Sequence, residues 1–312
     1  MQKTFALFAF SVLVFAASKV FAQPGTPRTV SPNSVINSLG MEFITIPSGD
    51  FMMGSDDADI DLACSSSGNV KDCKKIWTND EAPKHRVNIP TGILMMRFEI
   101  TQAQWHTVMG TAIEAQRDKW GKYSESLFFV KVEKKYKLKG VGPDIPMYWV
   151  SWSEVNEFVK RMNDRKDGLV YSLPSEAEWE YGCRAGTSKT VYSFGNVITQ
   201  KDANTVWTDG RYLDNVVKGG SYQPNAFGLF DMEGNVSEWT ADMYFDNYEG
   251  LPIDGSANLF KRAKMFGENV RVLRGGNSSS SPFNARCARR IWNFENDGFS
   301  AAGFRLVARK KA

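Results

Sequence analysis

Histidine and cysteine are scarce in this 312-residue chain, which holds two of the first (His85 and His106) and four of the second. A three-histidine metal centre is thereby excluded, and an iron site of two histidines and a carboxylate would need both. Cys64, Cys73, Cys183 and Cys287 include no C-x-x-C pair, which removes the usual zinc and dithiol-redox spacings. Net charge is also small. Lys3 and Lys19 lie within residues 1–22, which hold no acid, so 36 of the 38 Lys+Arg remain against 35 Asp+Glu. A balance of +1 supplies no field for nucleic acid or an anionic membrane. Beyond residue 22 no apolar run approaches the ~20 residues of a membrane-spanning helix. Apolar residues nevertheless make up 42% of the chain and aromatics 13%, enough to bury a core and to exclude a disordered tail.

Lys3, the apolar stretch Phe5 to Ala17, and Val20-Phe21-Ala22 before Gln23-Pro24-Gly25 read as a secretory signal over residues 1–22, cut after Ala22. No cysteine lies near the cut, so lipid attachment there is excluded. The expected product is exported, periplasmic or secreted, where disulfides persist. Four cysteines admit three pairings. Cys64 and Cys73 flank a Ser-rich loop that a local bridge could close, which leaves Cys183 with Cys287; spacing prefers this pairing without deciding it. Residues 23–40, rich in Pro, Ser, Thr and Asn, read as a linker, and 41–312 as one domain without internal repeats.

Thr101-Gln102-Ala103-Gln104, Ser151-Trp152-Ser153-Glu154 and Ser175-Glu176-Ala177-Glu178 each have the form of a capping box. After the second, Trp152, Val155, Phe158, Val159 and Met162 recur at helical spacing. Short strand-like runs occur at Glu42–Ile46, Arg86–Ile89, Arg97–Ile100, Val170–Leu173, Arg271–Leu273 and Gly303–Val307, with turns between. The fold class expected is α+β with much irregular chain rather than alternating βαβ units. Residues 111–145 read as a charged insertion, with Lys131, Lys134, Lys135, Lys137 and Lys139 on a solvated face.

The block Asn225–Thr240 carries the clearest chemistry. Asp231 and Glu238 bracket a Gly234-Asn235 turn, and Glu233 adds a third carboxylate. Hard cations such as Ca²⁺ take oxygen ligands of this kind, although an acidic surface turn between aromatics has the same spacing.

From Met41 to Val307 the chain resembles the formylglycine-generating-enzyme family, or sulfatase-modifying-factor domain. The resemblance is carried by Phe43-Ile44-Thr45-Ile46-Pro47-Ser48-Gly49, Phe98-Glu99-Ile100-Thr101-Gln102-Ala103-Gln104-Trp105, Leu173-Pro174-Ser175-Glu176-Ala177-Glu178-Trp179, the Asn225–Thr240 block, Arg274-Gly275-Gly276-Asn277, Arg286-Cys287-Ala288 and Gly303-Phe304-Arg305. It implies a single irregular domain related to C-type lectins, of low regular secondary structure. It implies a structural calcium held by the side chains of Asp231 and Glu238 and the carbonyls of Gly234 and Val236. A second calcium is implied at Asn204 and Thr205, with ligands near Asp214 and Val216. It also pairs Cys183 with Cys287.

The family's copper(I) thiolates are where the resemblance fails. Formylglycine generators place two further cysteines between Gly-Gly and Arg-Cys; here Ser278-Ser279-Ser280-Ser281-Pro282-Phe283-Asn284 fills that segment. A serine hydroxyl is hard and weakly acidic and does not replace a soft thiolate, so copper is not expected. A nucleophilic serine would need a base, and His85 reads as packed while His106 has no visible partner. Ser278, Ser279, Ser280, Arg289, Arg290 and Trp292 form a candidate binding surface, although arginines paired with internal carboxylates are the preferred reading of Arg274, Arg286, Arg289 and Arg290. The expected activity is binding of a peptide or protein partner in the cell envelope without copper-dependent oxidation. The alternatives are a copper-independent maturation enzyme, as in the branch that matures the siderophore pyoverdine, and a sulfatase-activating oxidase.

Overall fold

The computed structural model describes residues 34–67, 79–121, 136–260, 264–265 and 268–311. The expected signal segment, Cys73 and most of the lysine cluster therefore lie outside the described residues. In chain order the elements are β1 (Ser34–Ile36), β2 (Glu42–Thr45), β3 (Gly49–Met53), α1 (Asp57–Ser66), β4 (His85–Ile89), β5 (Leu94–Met96), α2 (Gln102–Met109), α3 (Ile113–Trp120), α4 (Trp152–Asp164), β6 (Leu169–Ser172), α5 (Glu176–Arg184), β7 (Ser237–Met243), β8 (Lys264–Met265), β9 (Glu268–Arg274), β10 (Ile291–Phe294), β11 (Ala302–Gly303) and β12 (Val307–Lys310). Helices and strands are short and irregular chain connects them, a mixed α+β arrangement.

One antiparallel sheet runs in the order β1-β2-β5-β12-β6, and a second runs β10-β9-β7-β11, with β8 on β9 and β11 parallel to β7. A separate ribbon pairs β3 with β4. The main core lies beneath α2 and α4. There Trp105 stacks on Phe158 at 5.7 Å, and Phe304 meets Phe158 edge-on at 5.2 Å. Such pairs add about 0.5–1.5 kcal/mol beyond the area they bury.

All three expected capping boxes form, because each hydroxyl meets the amide three residues on while the Gln or Glu side chain there reaches back. The run after Ser151 buries Val155, Phe158 and Met162, as its period requires.

Other expectations are corrected. The linker reaches only part of the way to residue 40, since Ser34, Val35 and Ile36 pair with Ile44, Phe43 and Glu42. At Arg97–Ile100 the strand instead occupies Leu94–Met96. The chain turns there, which lets Arg97 bond Glu42 at 3.1 Å and buries Glu99. The run Gly303–Val307 divides into β11 and the start of β12, with the fully buried Arg305 between them. Within 111–145, α3 buries Ile113, Gln116 and Trp120, and the Trp120 indole donates to Glu154 at 2.9 Å, so this stretch packs on the fold and is not a detached insertion.

Candidate functional site

The Gly234-Asn235 turn lies just before β7 and is fixed by close backbone approach. Gly234 has φ +95°, and a Cβ there would lie 2.4 Å from the Asn204 carbonyl oxygen, so only glycine fits. The Asn235 N–H donates to that same carbonyl at 2.7 Å, and the Gly234 N–H donates to Gly275 at 2.7 Å. Asp231 and Asn235 also adopt the left-handed region, at φ 56° and 61°.

Around this turn the side chains form a buried line. Asn204 Nδ2 donates to Asn235 Oδ1 at 3.0 Å, and Asn235 Nδ2 donates to Glu99 Oε1 at 3.0 Å. At its two ends, Asn204 Oδ1 and Glu99 Oε2 are buried acceptors without a hydrogen-bond donor. Asp231 accepts from the Gly220 N–H at 2.7 Å. Burial first, then the charges of Asp231 and Glu238, push the Glu99 carboxyl well above the ordinary carboxylate range, against the pull of Arg305. Buried oxygens left without a donor are the kind of atoms that could serve as ligands to a hard cation.

Glu238 is largely committed. Arg305 donates to both its oxygens at 2.7 Å, and the Trp179 indole donates at 2.8 Å. These bonds use three of the four lone-pair sites of a carboxylate. Val236 is buried in the main core. At the second expected position Thr205 Oγ1 donates to the Ser280 carbonyl at 2.6 Å, whereas Asp214 is turned outward and held by Lys139 at 2.7 Å. Glu233 stands apart, against the Cys183–Cys287 disulfide, where burial pushes its carboxyl up to about 7.

The six residues expected as a binding surface do not share one. Ser279 alone among them is exposed. Ser278 is buried with its N–H on the Asn235 carbonyl, and the buried Ser280 hydroxyl accepts from the Asn277 N–H. Arg290 is 1% exposed and grips Glu176 at 2.7 and 3.0 Å. Arg289 pairs with Asp80, and Trp292 packs half-buried between Tyr244 and Phe294. Arg286 meets Glu81 through both terminal nitrogens; burial pushes Glu81 up, and Arg286 more than reverses this to about 2. Arg274, Arg286, Arg289 and Arg290 are therefore internal counterions, the reading preferred from sequence.

Lys139 Nζ donates to Ser279 Oγ at 2.8 Å while bound to Asp214. Lys139 thus bridges Asp214 and Ser279, a polar contact point at the surface. His85 packs on Tyr248 at 5.0 Å and lies 2.8 Å from the Pro83 carbonyl, the structural role expected; His106 is exposed on α2.

Glu99 and Arg305 were named only within family blocks and Lys139 only within the lysine cluster, none of them as a site residue. The signal for Glu99 was an acid between Phe98 and Ile100 immediately before a helix cap, an apolar setting that an exposed acid would not need.

Fold and site together define an irregular α+β scaffold built around an oxygen-rich turn, with a serine loop where a thiol pair would be needed for copper. Residues 29–310 match the family described as "Sulfatase-modifying factor enzyme 1-like domain", and the chain belongs to that family. It is 26% identical over 310 residues to the formylglycine-generating enzyme of Mus musculus, covering 86% of this chain and 75% of that one. It is 24% identical over 301 residues to the inactive C-alpha-formylglycine-generating enzyme 2 of Bos taurus, covering 87% and 89%. Among solved structures it resembles PvdO from Pseudomonas aeruginosa with a TM-score of 0.65 and 26% identity, covering 90% of this chain and all of that one.

Proposed function

We propose that this protein is an exported, calcium-stabilised member of the family that engages a peptide-like or protein partner of the cell envelope without copper chemistry. The carrying observation is the Gly275–Cys287 segment. It has no thiol before Cys287, Cys287 is bonded to Cys183, Ser278 is hydrogen-bonded to the turn and Ser280 within its own loop. The proposed contact face is the exposed Ser279 with Lys139 and Asp214, extended by Tyr212 and Leu213, each 49% exposed. Such a face offers apolar area beside both charges, suited to a peptide. The similarity to PvdO along its whole length favours a second reading, a copper-independent maturation enzyme acting on a peptide-like substrate at this same face.

Incubating the protein with Cu(I) and a cysteine-containing sulfatase peptide should yield no peptide aldehyde; aldehyde formation would overturn the copper-free reading. A pull-down from the native envelope should retain a partner that Lys139→Glu releases. Equal retention by that variant would remove the contact face from the proposal.

Calcium is proposed at the turn, with Asp231, the last open lone pair of Glu238, the carbonyls of Gly234 and Val236, and Glu99 as an added oxygen ligand. A second ion is proposed at Asn204 and Thr205. The two orphaned acceptors support the oxygen-only donor set. A bound cation would neutralise the acids and tie the turn to the rest of the fold. Chelation should lower the melting temperature, and Asp231→Ala or Glu99→Gln should blunt that response. An unchanged melt after complete chelation would refute the assignment.

A further inference from the structure

The Cys183–Cys287 bridge has an unusual neighbour. Glu233 Oε1 lies 3.4 Å from Cys287 Sγ. A disulfide sulfur carries no proton, so the contact gains no hydrogen bond; the carboxyl is kept there by Ser193, whose N–H and hydroxyl donate at 2.7 and 3.2 Å. The two sulfurs and a Glu233 oxygen all lie within 4.8 Å of one another, and all three residues are buried.

We propose that reduction of this bridge creates a metal site in which the thiolates of Cys183 and Cys287 and the carboxylate of Glu233 hold one Zn²⁺ ion. Two electrons and two protons from a dithiol, itself oxidised to a disulfide, convert the bridge to two thiols. Zinc binding then releases those two protons and leaves both sulfurs as thiolates.

The distances suit zinc. Tetrahedral coordination with Zn–S about 2.3 Å and Zn–O about 2.0 Å places a sulfur and an oxygen about 3.5 Å apart, close to the present contact. Two sulfurs on one zinc stand about 3.8 Å apart, so the sulfurs must separate once the bond is broken. The Cα atoms, 5.7 Å apart, allow this by side-chain rotation alone. The mixed sulfur and oxygen donor set suits zinc better than copper(I), which prefers sulfur only.

The surroundings orient the ligands as metal sites require. Ser193 fixes the carboxylate, the Asn225 amide donates to the carbonyls of Gly182 and Cys183, and Arg274 donates to the carbonyl of Cys287. Glu233 also lines a cavity of about 170 Å³ that opens to solvent beside Ser193, Asn225 and Met232. That cavity supplies the route for the ion and room for a water as fourth ligand. The inference is independent of the partner-binding reading.

The test uses the full chain, oxidised or reduced with a phosphine under nitrogen, then freed of reductant and titrated with Zn²⁺ against a chromophoric chelator. The reduced form should take up one tightly bound equivalent that the oxidised form lacks, and Glu233→Gln should weaken it at least 10-fold. Co²⁺ in place of zinc should show thiolate-to-metal charge transfer, lost in Cys183→Ser. If the reduced chain is partly unfolded, Zn²⁺ should raise its melting temperature, and should not do so for Glu233→Gln. No uptake, uptake retained in Cys183→Ser, or equal affinity in Glu233→Gln would each overturn the proposal.

Discussion

Replacing Arg305 by methionine is expected to lower the melting temperature by roughly 6–20 °C, from a loss of about 3–5 kcal/mol. Arg305 is fully buried and serves two systems at once. Its guanidinium donates to both oxygens of Glu238, and it also donates to the carbonyls of Phe230 at 2.8 Å and Met96 at 3.1 Å. Methionine fills much of the volume but leaves Glu238 with the Trp179 indole as its remaining side-chain donor in this set. Glu99 and Asp231, both in electrostatic contact with Arg305, would lose that compensating charge as well. Burial lowers the Arg305 guanidinium, and Glu238 first, with Glu99 and Asp231, more than restores it. With calcium at the proposed site the loss should be larger in chelator than in calcium, and Glu238→Gln on the Arg305→Met background should recover part of it. Thermal melts of the single and double variants check this. A single variant melting within 2 °C of the parent would show that water or local movement compensates the carboxylate.

Removal of the Cys183–Cys287 bridge is the second large effect. The bonded residues are 104 apart in sequence, so the bridge closes a loop that holds β7, β9 and the whole turn region. Loop-closure entropy for about 100 residues amounts to about 4.7 kcal/mol, and measured losses in natural disulfide proteins run about 2–5 kcal/mol. Cys183→Ala with Cys287→Ala should lower the unfolding free energy by that amount, read as a fall in denaturant midpoint, with an m-value that rises because the uncrosslinked denatured chain exposes more surface. The bridge also anchors α5 to the Arg286–Arg290 segment, where Arg274 spans Glu176, Glu180 and the Cys287 carbonyl. Those ion pairs remain in the variant, so the native arrangement should survive at room temperature. A midpoint unchanged within error would mean that the buried ion pairs, and not the covalent link, hold this corner of the fold.

The extent to which the fold was legible follows the range of the interactions. Thr101, Ser151 and Ser175 announced their helices because a capping box spans four residues and its bonds close within them. The apolar face of α4 was legible for the same reason. Asp56 starts α1 with a box of the same form, but with Asp59 in place of the Glu or Gln that the pattern looks for. Strands fared worse. The turn at Arg97 and the break at Arg305 are set by partners far along the chain, Glu42 and Glu238 among them.

The candidate site divides in the same way. The turn at Gly234-Asn235 could be found from its residues, since acids bracketing Gly-Asn form a local pattern. That Glu99 shares the cluster could not, because its bond to Asn235 joins residues 136 apart. Sequence by itself determined the family, the absence of the copper thiols and the helix starts, all properties of residue identity or of short spacing. Only the tertiary structure decided that Arg290 and Ser278 are interior, that Ser279 and Lys139 face outward, and that Glu233 rests on the disulfide. Burial and charge pairing between distant segments are properties of the packed chain, and the scarce cysteines and histidines acquire their roles only there.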